Sequence, residues 1–145
     1  MTFAKSSIHN MGIVALCDLP RGSMVLEYRG ERIRQAVADR REVLYRSQRK
    51  DIFLFGVSDP TNDDEPVVYD TTECGTIGRF MNHSCLPSTF MKILTLGGRM
   101  HLVWCARRDI AAGEELTYDY RFAEDDEESS RMQCLCGAPN CRGLL

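Results

Sequence analysis

The sequence predicts a β-rich α+β domain, and three observations point to that fold class. Most of the 145 residues fall into short runs that are rich in β-branched and aromatic side chains. Only one segment places apolar residues at helical spacing. Glycine-containing stretches separate the runs, which is typical of strands joined by turns rather than of alternating strand–helix units.

Two segments of the chain resemble each other. Both "DLPRGSMVLEY" (18–28) and "DIAAGEELTYDY" (109–120) read Asp, an aliphatic residue, two further residues, Gly and then a strand-forming run. Glycine at a fixed offset suits a turn that needs a positive φ. Each copy is therefore predicted to form a turn followed by a strand. Further strands are expected at 52–57, 67–69, 90–96 and 101–106.

One surface helix is predicted over 32–47, because Ile33, Val37, Arg40 and Leu44 follow helical spacing and the segment lacks Gly and Pro. The stretch "SDPTNDDEP" (58–66) has the composition of a turn between two strands. Gly75 and Gly78 are expected to make the backbone leading into "RFMNHSC" irregular. One helix among many short strands fits the α+β class.

The charge and hydropathy of the chain exclude some function classes. The net charge of −3 argues against a strongly basic protein, so no direct nucleic-acid partner is expected. The first fifty residues carry +5, and the rest carry −8, concentrated at 59–65 and 124–128. These acidic runs are either solvated loops or a surface that attracts a basic partner. The longest apolar run, 11–17, is far shorter than the ~20 residues of a membrane span, so we expect an intracellular domain without membrane contact.

Seven cysteines, an odd number without a secretory signal, fit metal ligation better than disulfides. Three of them lie in "QCLCGAPNC" (133–141), whereas a closed structural zinc site needs four ligands. Spacing alone leaves the fourth ligand open among a water molecule and five residues: Cys17, Cys74, Cys85, Cys105 and His83. Cys85 is favoured because its neighbours are polar, while Cys17 and Cys105 lie in apolar, strand-like contexts that suit buried, unligated cysteine.

Three motifs then occur in the order of one family: "GRFMNHSCLP" (78–87), "EELTYDYRF" (114–122) and "CLCGAPNC" (134–141). An SxIHxxG start and "EYRGE" (27–31) precede them. Together they resemble the SET-domain protein lysine methyltransferases that carry a post-SET zinc motif, most closely the trithorax/MLL-type branch. The resemblance implies a SET fold with a pseudoknot that brings "RFMNHSC" beside "ELTYDY". It also implies a SET domain at 7–122 and a zinc-binding post-SET segment at 123–145.

The resemblance also implies roles for individual residues. The zinc ligands would be Cys85, Cys134, Cys136 and Cys141. Tyr120 takes the position of the catalytic tyrosine, and Tyr118 the position that limits how many methyl groups fit, with tyrosine favouring fewer. The residues implied to contact or support S-adenosylmethionine are Met11, Gly12, Arg79, Phe80, Asn82 and His83. The lysine channel would be lined by Phe53, Tyr118, Tyr120 and Phe122.

Such a channel suits the chemistry of lysine methylation, which requires the neutral amine. A free lysine has a pKa near ~10.4, so deprotonation at pH 7 costs roughly 4.6 kcal/mol. An aromatic channel and the sulfonium of the methyl donor both disfavour the ammonium form and lower this pKa. The expected function is therefore methylation of a lysine in the histone H3 tail, with lysine 4 as the first choice in this branch.

Several positions depart from the family pattern. Asn10 replaces a glycine, Thr76 and Ser88 replace asparagines, and Phe53 stands where the channel usually offers a tyrosine hydroxyl. These changes keep two alternatives open: a SET-like module that binds cofactor or histone tail without turnover, and a zinc-stabilised interaction domain without cofactor. The branch also implies a nuclear chromatin regulator, a longer parent protein and accessory subunits that order the helix at 32–47.

Overall fold

The computed structural model describes residues 1–59, 62–120 and 132–145, and only the backbone at 59 and 62–65. It contains one α-helix, α1, at Gln35–Ser47 and a short 3₁₀ helix at Ile77–Phe80. The ten strands, in chain order, are β1 Thr2–Lys5, β2 Met11–Val14, β3 Met24–Tyr28, β4 Gly30–Arg34, β5 Leu54–Asp59, β6 Asn62–Gly75, β7 Asn82–His83, β8 Thr89–Leu96, β9 Arg99–Ala106 and β10 Glu115–Tyr118. The β-rich α+β class is confirmed. No helix in the described part of the chain is both long and apolar enough to cross a membrane.

The chain divides into two compact units. The first comprises Met1–Leu26, Phe80–Lys92 and Val103–Leu145, and the second comprises Glu27–Arg79 and Ile93–Leu102. Sheet β1-β2-β10-β7 lies within the first unit, and sheet β4-β6-β5 lies within the second. The remaining sheet has the order β3-β9-β8.

The first unit contains the sheet β1-β2-β10-β7. Strand β2 pairs antiparallel with β1 and β10, whereas β10 pairs parallel with β7, through Thr117↔Asn82 and Tyr118↔His83. Because β7 has only two residues and its partner is over thirty residues further along the chain, this pairing needs the surrounding fold to hold it. It confirms the expectation that "RFMNHSC" lies beside "ELTYDY".

The two similar segments of the sequence pair with each other in this unit. Leu19 and Ile110 exchange backbone hydrogen bonds of 2.8 and 2.9 Å. The aspartate of each copy accepts a backbone N–H from the other: Asp109 from Arg21 at 2.7 Å, and Asp18 from Ala112 at 2.8 Å. The glycine at the shared offset has a φ of +85° in one copy and +87° in the other, as the turn prediction requires.

The second unit packs α1 against the antiparallel sheet β4-β6-β5. A small apolar cluster joins them, formed by Ile33, Ala38 and Val68 with Leu54 against it. Beside this cluster, Arg41 and Tyr45 of the helix reach the buried carboxylate of Asp70 on β6. Apolar contact and charge therefore both hold the helix on the sheet.

The predicted start of the helix was wrong. Arg32, Ile33 and Arg34 belong to β4 and pair with β6, because ladder hydrogen bonds and burial of Ile33 outweigh helical propensity. Strand β6 is also longer than predicted and extends to Gly75. The stretch leading into "RFMNHSC" is partly regular, with a 3₁₀ helix at Ile77–Phe80 followed by β7. Most of the predicted loop at 58–66 belongs to β5, which ends at Asp59, and to β6, which begins at Asn62; residues 60 and 61 lie outside the described residues.

Candidate active site and metal centre

Four cysteine side chains converge in the first unit. The Sγ atoms of Cys85, Cys134, Cys136 and Cys141 all lie within 4.8 Å of one another. Cys85 follows β7, and the other three come from the C-terminal segment, which closes on itself through the bridge between Gln133 and Leu144. The structure thus brings the three clustered cysteines to the fourth ligand that the resemblance implied.

The spacing of the sulfurs fits a tetrahedral metal ion. Zinc–sulfur bonds of about 2.3 Å at tetrahedral angles place sulfur atoms about 3.8 Å apart, and Cys85 Sγ and Cys134 Sγ are 3.8 Å apart. None of the seven cysteines forms a disulfide. Four thiol donors in this geometry match the ligand set of a structural zinc site rather than a catalytic one, which keeps a position open.

Backbone N–H groups point at these sulfurs. Cys136 Sγ accepts from Cys85 N at 3.5 Å, Cys85 Sγ from Arg142 N at 3.4 Å, and Cys141 Sγ from Gly143 N at 3.4 Å. Burial raises the pKa of the Cys134 thiol. At Cys136 burial acts in the same direction, but hydrogen bonds from backbone N–H groups outweigh it and lower the pKa of that thiol to about 6. The backbone N–H groups therefore favour negative charge on the Cys136 sulfur.

The other candidate ligands lie elsewhere. Cys17 and Cys74 are exposed and Cys105 is buried in β9, and none belongs to the cluster. The expectation that Cys17 is a buried strand residue was wrong, because it lies in an exposed turn after β2. The His83 ring contacts Cys85 without joining the four-sulfur group.

His83 links the cysteine cluster to the tyrosines. Tyr120 N–H donates to Nδ1 of His83 at 3.1 Å, so the ring proton resides on Nε2, which lies 3.3 Å from Cys85 Sγ. Burial lowers the pKa of His83, with nearby Asp119 opposing that shift. A neutral imidazole that donates to a cysteine sulfur is a typical second layer of support around a thiolate site.

The C-terminal segment is also fastened to the tyrosine motif directly. The guanidinium of Arg142 donates to both carboxylate oxygens of Asp119, at 2.6 and 3.2 Å. Asn140 Nδ2 donates to the carbonyl oxygen of Cys85 at 3.3 Å. These contacts hold the cysteine-bearing C-terminal segment against Cys85 and against Asp119, which lies between Tyr118 and Tyr120.

Aromatic rings form a continuous row at Tyr118 and Tyr120. The ring centroid of Tyr118 lies 4.3 Å from that of Trp104 and 4.6 Å from that of Tyr120, which in turn lies 5.3 Å from the His83 ring. The Tyr120 hydroxyl donates to the carbonyl oxygen of Met81 at 3.0 Å. Both the backbone and the hydroxyl of Tyr120 are therefore fixed by the "RFMNHSC" segment.

The predicted cofactor residues of the first unit gather around Asn82. Its Nδ2 lies 3.1 Å from the carbonyl oxygen of Met11 and 3.2 Å from that of His9. Gly12 is buried beside it, and a Cβ there would lie 3.2 Å from Asn82 Nδ2. Asn10 has a φ of +40°, so the asparagine that replaces a glycine does adopt the left-handed backbone.

The other predicted site residues lie in three places. In the second unit the guanidinium of Arg79 sits over the Phe53 ring, 5.4 Å from its centroid, and donates to the carbonyl oxygens of Thr71 and Thr72. In the first unit Phe80 packs edge-to-face on Phe3, with ring centroids 5.3 Å apart. Phe122 lies outside the described residues.

Two of the departures from the family pattern make full sets of hydrogen bonds. Ser88 is buried, and its hydroxyl accepts from Thr117 N at 2.9 Å while its own N–H donates to Thr117 Oγ1 at 3.1 Å. The hydroxyl of Thr76 accepts from Arg29 N at 3.2 Å and donates to the carbonyl oxygen of Glu27 at 3.0 Å. Serine and threonine are thus accommodated at these positions.

Sequence reasoning missed four residues that support the site: Ser6, Glu115, Asp119 and Arg142. All four lie inside or beside recognised motifs, but their partners are distant in sequence, up to 109 residues for Ser6 and Glu115. A polar residue at the start of a strand within a motif, such as Glu115, is the only local signal that could have drawn attention to them.

Comparison with known proteins agrees with this arrangement. A model of the SET domain family matches residues 10–121. Similar proteins occur in Eremothecium gossypii, with 49% identity over 100% of this chain, in Saccharomyces cerevisiae, with 49% identity over 99%, and in Schizosaccharomyces pombe, with 46% identity over 99%. Each of these relatives is named as a histone-lysine N-methyltransferase specific for lysine 4 of histone H3.

The chain spans a small part of these relatives, covering 14%, 13% and 15% of their respective lengths. The family match nevertheless covers most of the chain and includes β2, β7 and β10, which carry the site. The parallel pairing of β7 with β10 and the four-cysteine cluster agree with the motifs from which the family was expected. The chain belongs to the SET-domain family.

Proposed function

We propose that this chain is the catalytic domain of a histone-lysine N-methyltransferase, which transfers a methyl group from S-adenosylmethionine to lysine 4 of the histone H3 tail. The names of the similar proteins support this substrate. The observation that carries the proposal is the parallel pairing of β7 with β10, which sets Asn82 and His83 beside Tyr118 and the following Tyr120. Residues suited to a methyl donor thereby adjoin residues suited to an amine.

The tyrosines orient the lysine amine in this proposal. The neutral amine is the nucleophile, and the row of aromatic rings disfavours the ammonium form by excluding water. Tyr120, held at its N–H by His83 and at its hydroxyl by Met81, presents a fixed ring and oxygen to the amine. Fixing the direction of the lone pair supplies rate enhancement through orientation. The Tyr118 hydroxyl occupies room that a more highly methylated amine would need, so low methylation states are favoured.

The loop before β2 and the 3₁₀ turn before β7 would hold the co-substrate. When bound, S-adenosylmethionine supplies an electrophilic methyl group on a sulfonium. Met11, Gly12, Asn82 and His83 would contact it, with Arg79 and Phe80 as supporting residues. The fit is supported by the Asn82 amide, whose nitrogen faces two carbonyl oxygens and the Glu115 carboxylate while its oxygen has no donor among the described residues. That oxygen suits a cationic amino group.

Zinc at Cys85, Cys134, Cys136 and Cys141 would fasten the post-SET segment, proposed as 123–145, to a SET domain at 7–122. The short segment buries little apolar surface of its own, with Leu135 and Met132 exposed, so four metal–sulfur bonds would supply the free energy that holds it. In this position the segment would close one wall of a lysine channel at Tyr118 and Tyr120.

The partners follow from the substrate. The negative charge of the last ninety-five residues would attract the basic H3 tail over long range, and specificity would come from close contacts. Exposed apolar side chains on α1, such as Val43 and Leu44, are consistent with an accessory activating subunit at this helix. A chromatin substrate implies a nuclear location.

A methylation assay with mass-spectrometric detection tests the proposed function. Purified protein is incubated with S-adenosylmethionine and an H3 tail peptide, and with peptides in which each lysine in turn is replaced by arginine. Methyl transfer that disappears only when lysine 4 is replaced is the expected result. Transfer to every peptide, or loss with a different lysine, would contradict the proposed specificity.

Phe53 favours a second candidate function, a module that binds cofactor or histone tail with little turnover. By the family pattern a tyrosine hydroxyl at this position could orient the amine, and the phenyl ring lacks it. Phe53→Tyr separates the two candidates, because a large gain in rate identifies a weakened enzyme. An inactive protein that binds S-adenosylmethionine and remains inactive after the substitution would favour the binding module.

A further inference from the structure

Glu115, the first residue of β10, makes hydrogen bonds to two distant segments of the first unit. Its Oε1 accepts from Asn82 Nδ2 at 2.8 Å, and both of its carboxylate oxygens lie 2.9 Å from Ser6 Oγ. Neither Glu115 nor Ser6 has a role in the reaction proposed above. Their contacts nevertheless end on the residues proposed to hold the co-substrate.

The Ser6 hydroxyl closes the loop that precedes β2. It accepts N–H groups from Ile8 at 2.9 Å and His9 at 3.3 Å, while the backbone N–H of Ser6 donates to the carbonyl oxygen of Asn10 at 3.0 Å. Because the hydroxyl donates its single proton to Glu115, the Ser6 end of the turn is tied to β10 through this carboxylate. Loss of the carboxylate would release that end of the turn while leaving its internal hydrogen bonds possible.

Glu115 also fixes the orientation of the Asn82 side chain. The nitrogen of this amide faces three acceptors: the carbonyl oxygens of His9 and Met11 and the Glu115 carboxylate. The opposite orientation would set the amide oxygen against all three, so it is excluded electrostatically. The oxygen of Asn82 is therefore always presented away from Glu115, available to a donor on a bound molecule.

Gly12 shows how closely the carboxylate is fitted. A Cβ at this position would lie 2.2 Å from Glu115 Oε1 and 2.7 Å from its Cδ, while the next nearest atom, Asn82 Nδ2, would be 3.2 Å away. The side chain of Glu115 thus fills the space that glycine leaves. Gly12 is required by Glu115 rather than by its backbone conformation.

We propose that Glu115, acting with Ser6, is a positioning residue that orders the turn at 6–12 and the Asn82 amide before the co-substrate binds. This inference rests on the proposed function, because it concerns the same S-adenosylmethionine site. The two residues act through Asn82 and the turn, so they set the affinity for the co-substrate and leave the methyl-transfer step itself unchanged.

The test compares Glu115→Gln and Ser6→Ala with the parent protein. Isothermal titration calorimetry measures the Kd for S-adenosylmethionine. Steady-state assays with H3 peptide measure the KM for S-adenosylmethionine separately from kcat. Loss of a hydrogen bond to a charged acceptor predicts a Kd and KM raised about tenfold, with kcat at saturating co-substrate within about twofold. Glu114→Gln is the matched control, because the neighbouring carboxylate instead bonds Arg108 on the surface.

Three results would overturn the inference: unchanged Kd in both variants, a fall in kcat with unchanged Kd, or an equal effect of Glu114→Gln. Amide hydrogen exchange at residues 6–12 supplies a readout that needs no co-substrate, and faster exchange in both variants is expected. If the parent protein binds no S-adenosylmethionine, the proposed function fails, while the exchange result still supports or overturns the positioning of the turn.

Gly12→Ala gives an independent check of the geometry. In the parent the new methyl group collides with the Glu115 carboxylate, so melting temperature and co-substrate affinity should both fall. Combined with Glu115→Ala, which vacates that space, the same substitution should add little further loss. Additive losses in the double variant would contradict the packing on which the inference depends.

Discussion

Asp70 is a buried carboxylate held by three donors, and its replacement by asparagine should cost much stability. It is 3% exposed. Its Oδ2 accepts from Arg41 Nη1 and from the Tyr45 hydroxyl, each at 2.8 Å, and its Oδ1 accepts from Thr72 N at 2.9 Å. These bonds fasten α1 to β6 within the second unit.

The magnitude follows from the donors. Asparagine has the same shape and keeps the bond from Thr72, but its amide nitrogen would face the Arg41 guanidinium, donor against donor. Arg41 keeps its bonds to Glu31, but the charge-assisted hydrogen bonds from Arg41 and Tyr45 to Asp70 are lost, which costs about 3 kcal/mol. At about 2.1 cal/mol/K of unfolding entropy per residue, this lowers the Tm of a chain of 145 residues by roughly 10 °C.

The pH dependence gives the prediction a second signature. Burial acts to raise the pKa of Asp70, but the hydrogen bonds from Arg41, Thr72 and Tyr45 outweigh it, so the pKa lies below its usual range. A carboxyl group with a lowered folded-state pKa stabilises the fold above its unfolded pKa of about 3.9 and loses that contribution as pH falls through the folded value. The difference in Tm between parent and Asp70→Asn should therefore be largest near pH 7 and shrink progressively once the pH falls below that unfolded value.

Thermal unfolding followed by circular dichroism between pH 3 and 7 measures both effects. Glu42→Gln is the control, because Glu42 forms an exposed ion pair with Arg46 one helical turn away and should cost less than about 0.5 kcal/mol. The reasoning is refuted if Asp70→Asn lowers Tm no more than the control does, or if the difference from the parent persists unchanged at pH 3.

Three further predictions concern the site. Cys85→Ser should abolish the stoichiometric zinc measured by atomic absorption and should lower Tm. The control is Cys74→Ser, at an exposed cysteine outside the cluster, which should leave zinc content and Tm unchanged. Equal zinc content in both variants would exclude Cys85 as a ligand. Tyr120→Phe should slow methyl transfer about a hundredfold or more while zinc content is retained, because the hydrogen bond to the Met81 carbonyl that orients the ring is lost. An unchanged rate would show that the Tyr120 hydroxyl has no part in the mechanism. Tyr118→Phe should raise the proportion of di- and trimethylated peptide seen by mass spectrometry, and an unaltered product distribution would contradict the role of its hydroxyl.

The sequence predicted correctly those elements whose conformation depends on a few neighbouring residues. The repeated Asp-to-Gly pattern predicted both turns correctly, because a positive φ at Gly22 and Gly113 is a property of the turn itself. It did not predict that the two copies pair through Leu19 and Ile110, since that contact depends on the fold that brings them together. The helix start failed for the same reason, as Ile33 is a helix-compatible residue drawn into β4 by its partner Val68.

The cysteine cluster illustrates the same limit at the site. Spacing grouped Cys134, Cys136 and Cys141 as candidate ligands of one centre, but it left the fourth candidate open, because Cys85 is about fifty residues away in sequence and is brought near by the fold around β7. Family resemblance supplied that residue. Glu115 was missed because its importance lies in its partners, Ser6 and Asn82, which no local pattern connects.

The residues that depart from the family pattern differ in whether their side chains make hydrogen bonds in the structure. Thr76 and Ser88 use their hydroxyls fully, so their structural role is preserved. Phe53 differs, because its backbone is fixed independently of its side chain, with its N–H donating to Thr72 Oγ1 at 3.0 Å and its carbonyl oxygen accepting from Thr71 N at 2.9 Å. A tyrosine at 53 would keep these bonds, so any change in rate on Phe53→Tyr reports on the added hydroxyl alone.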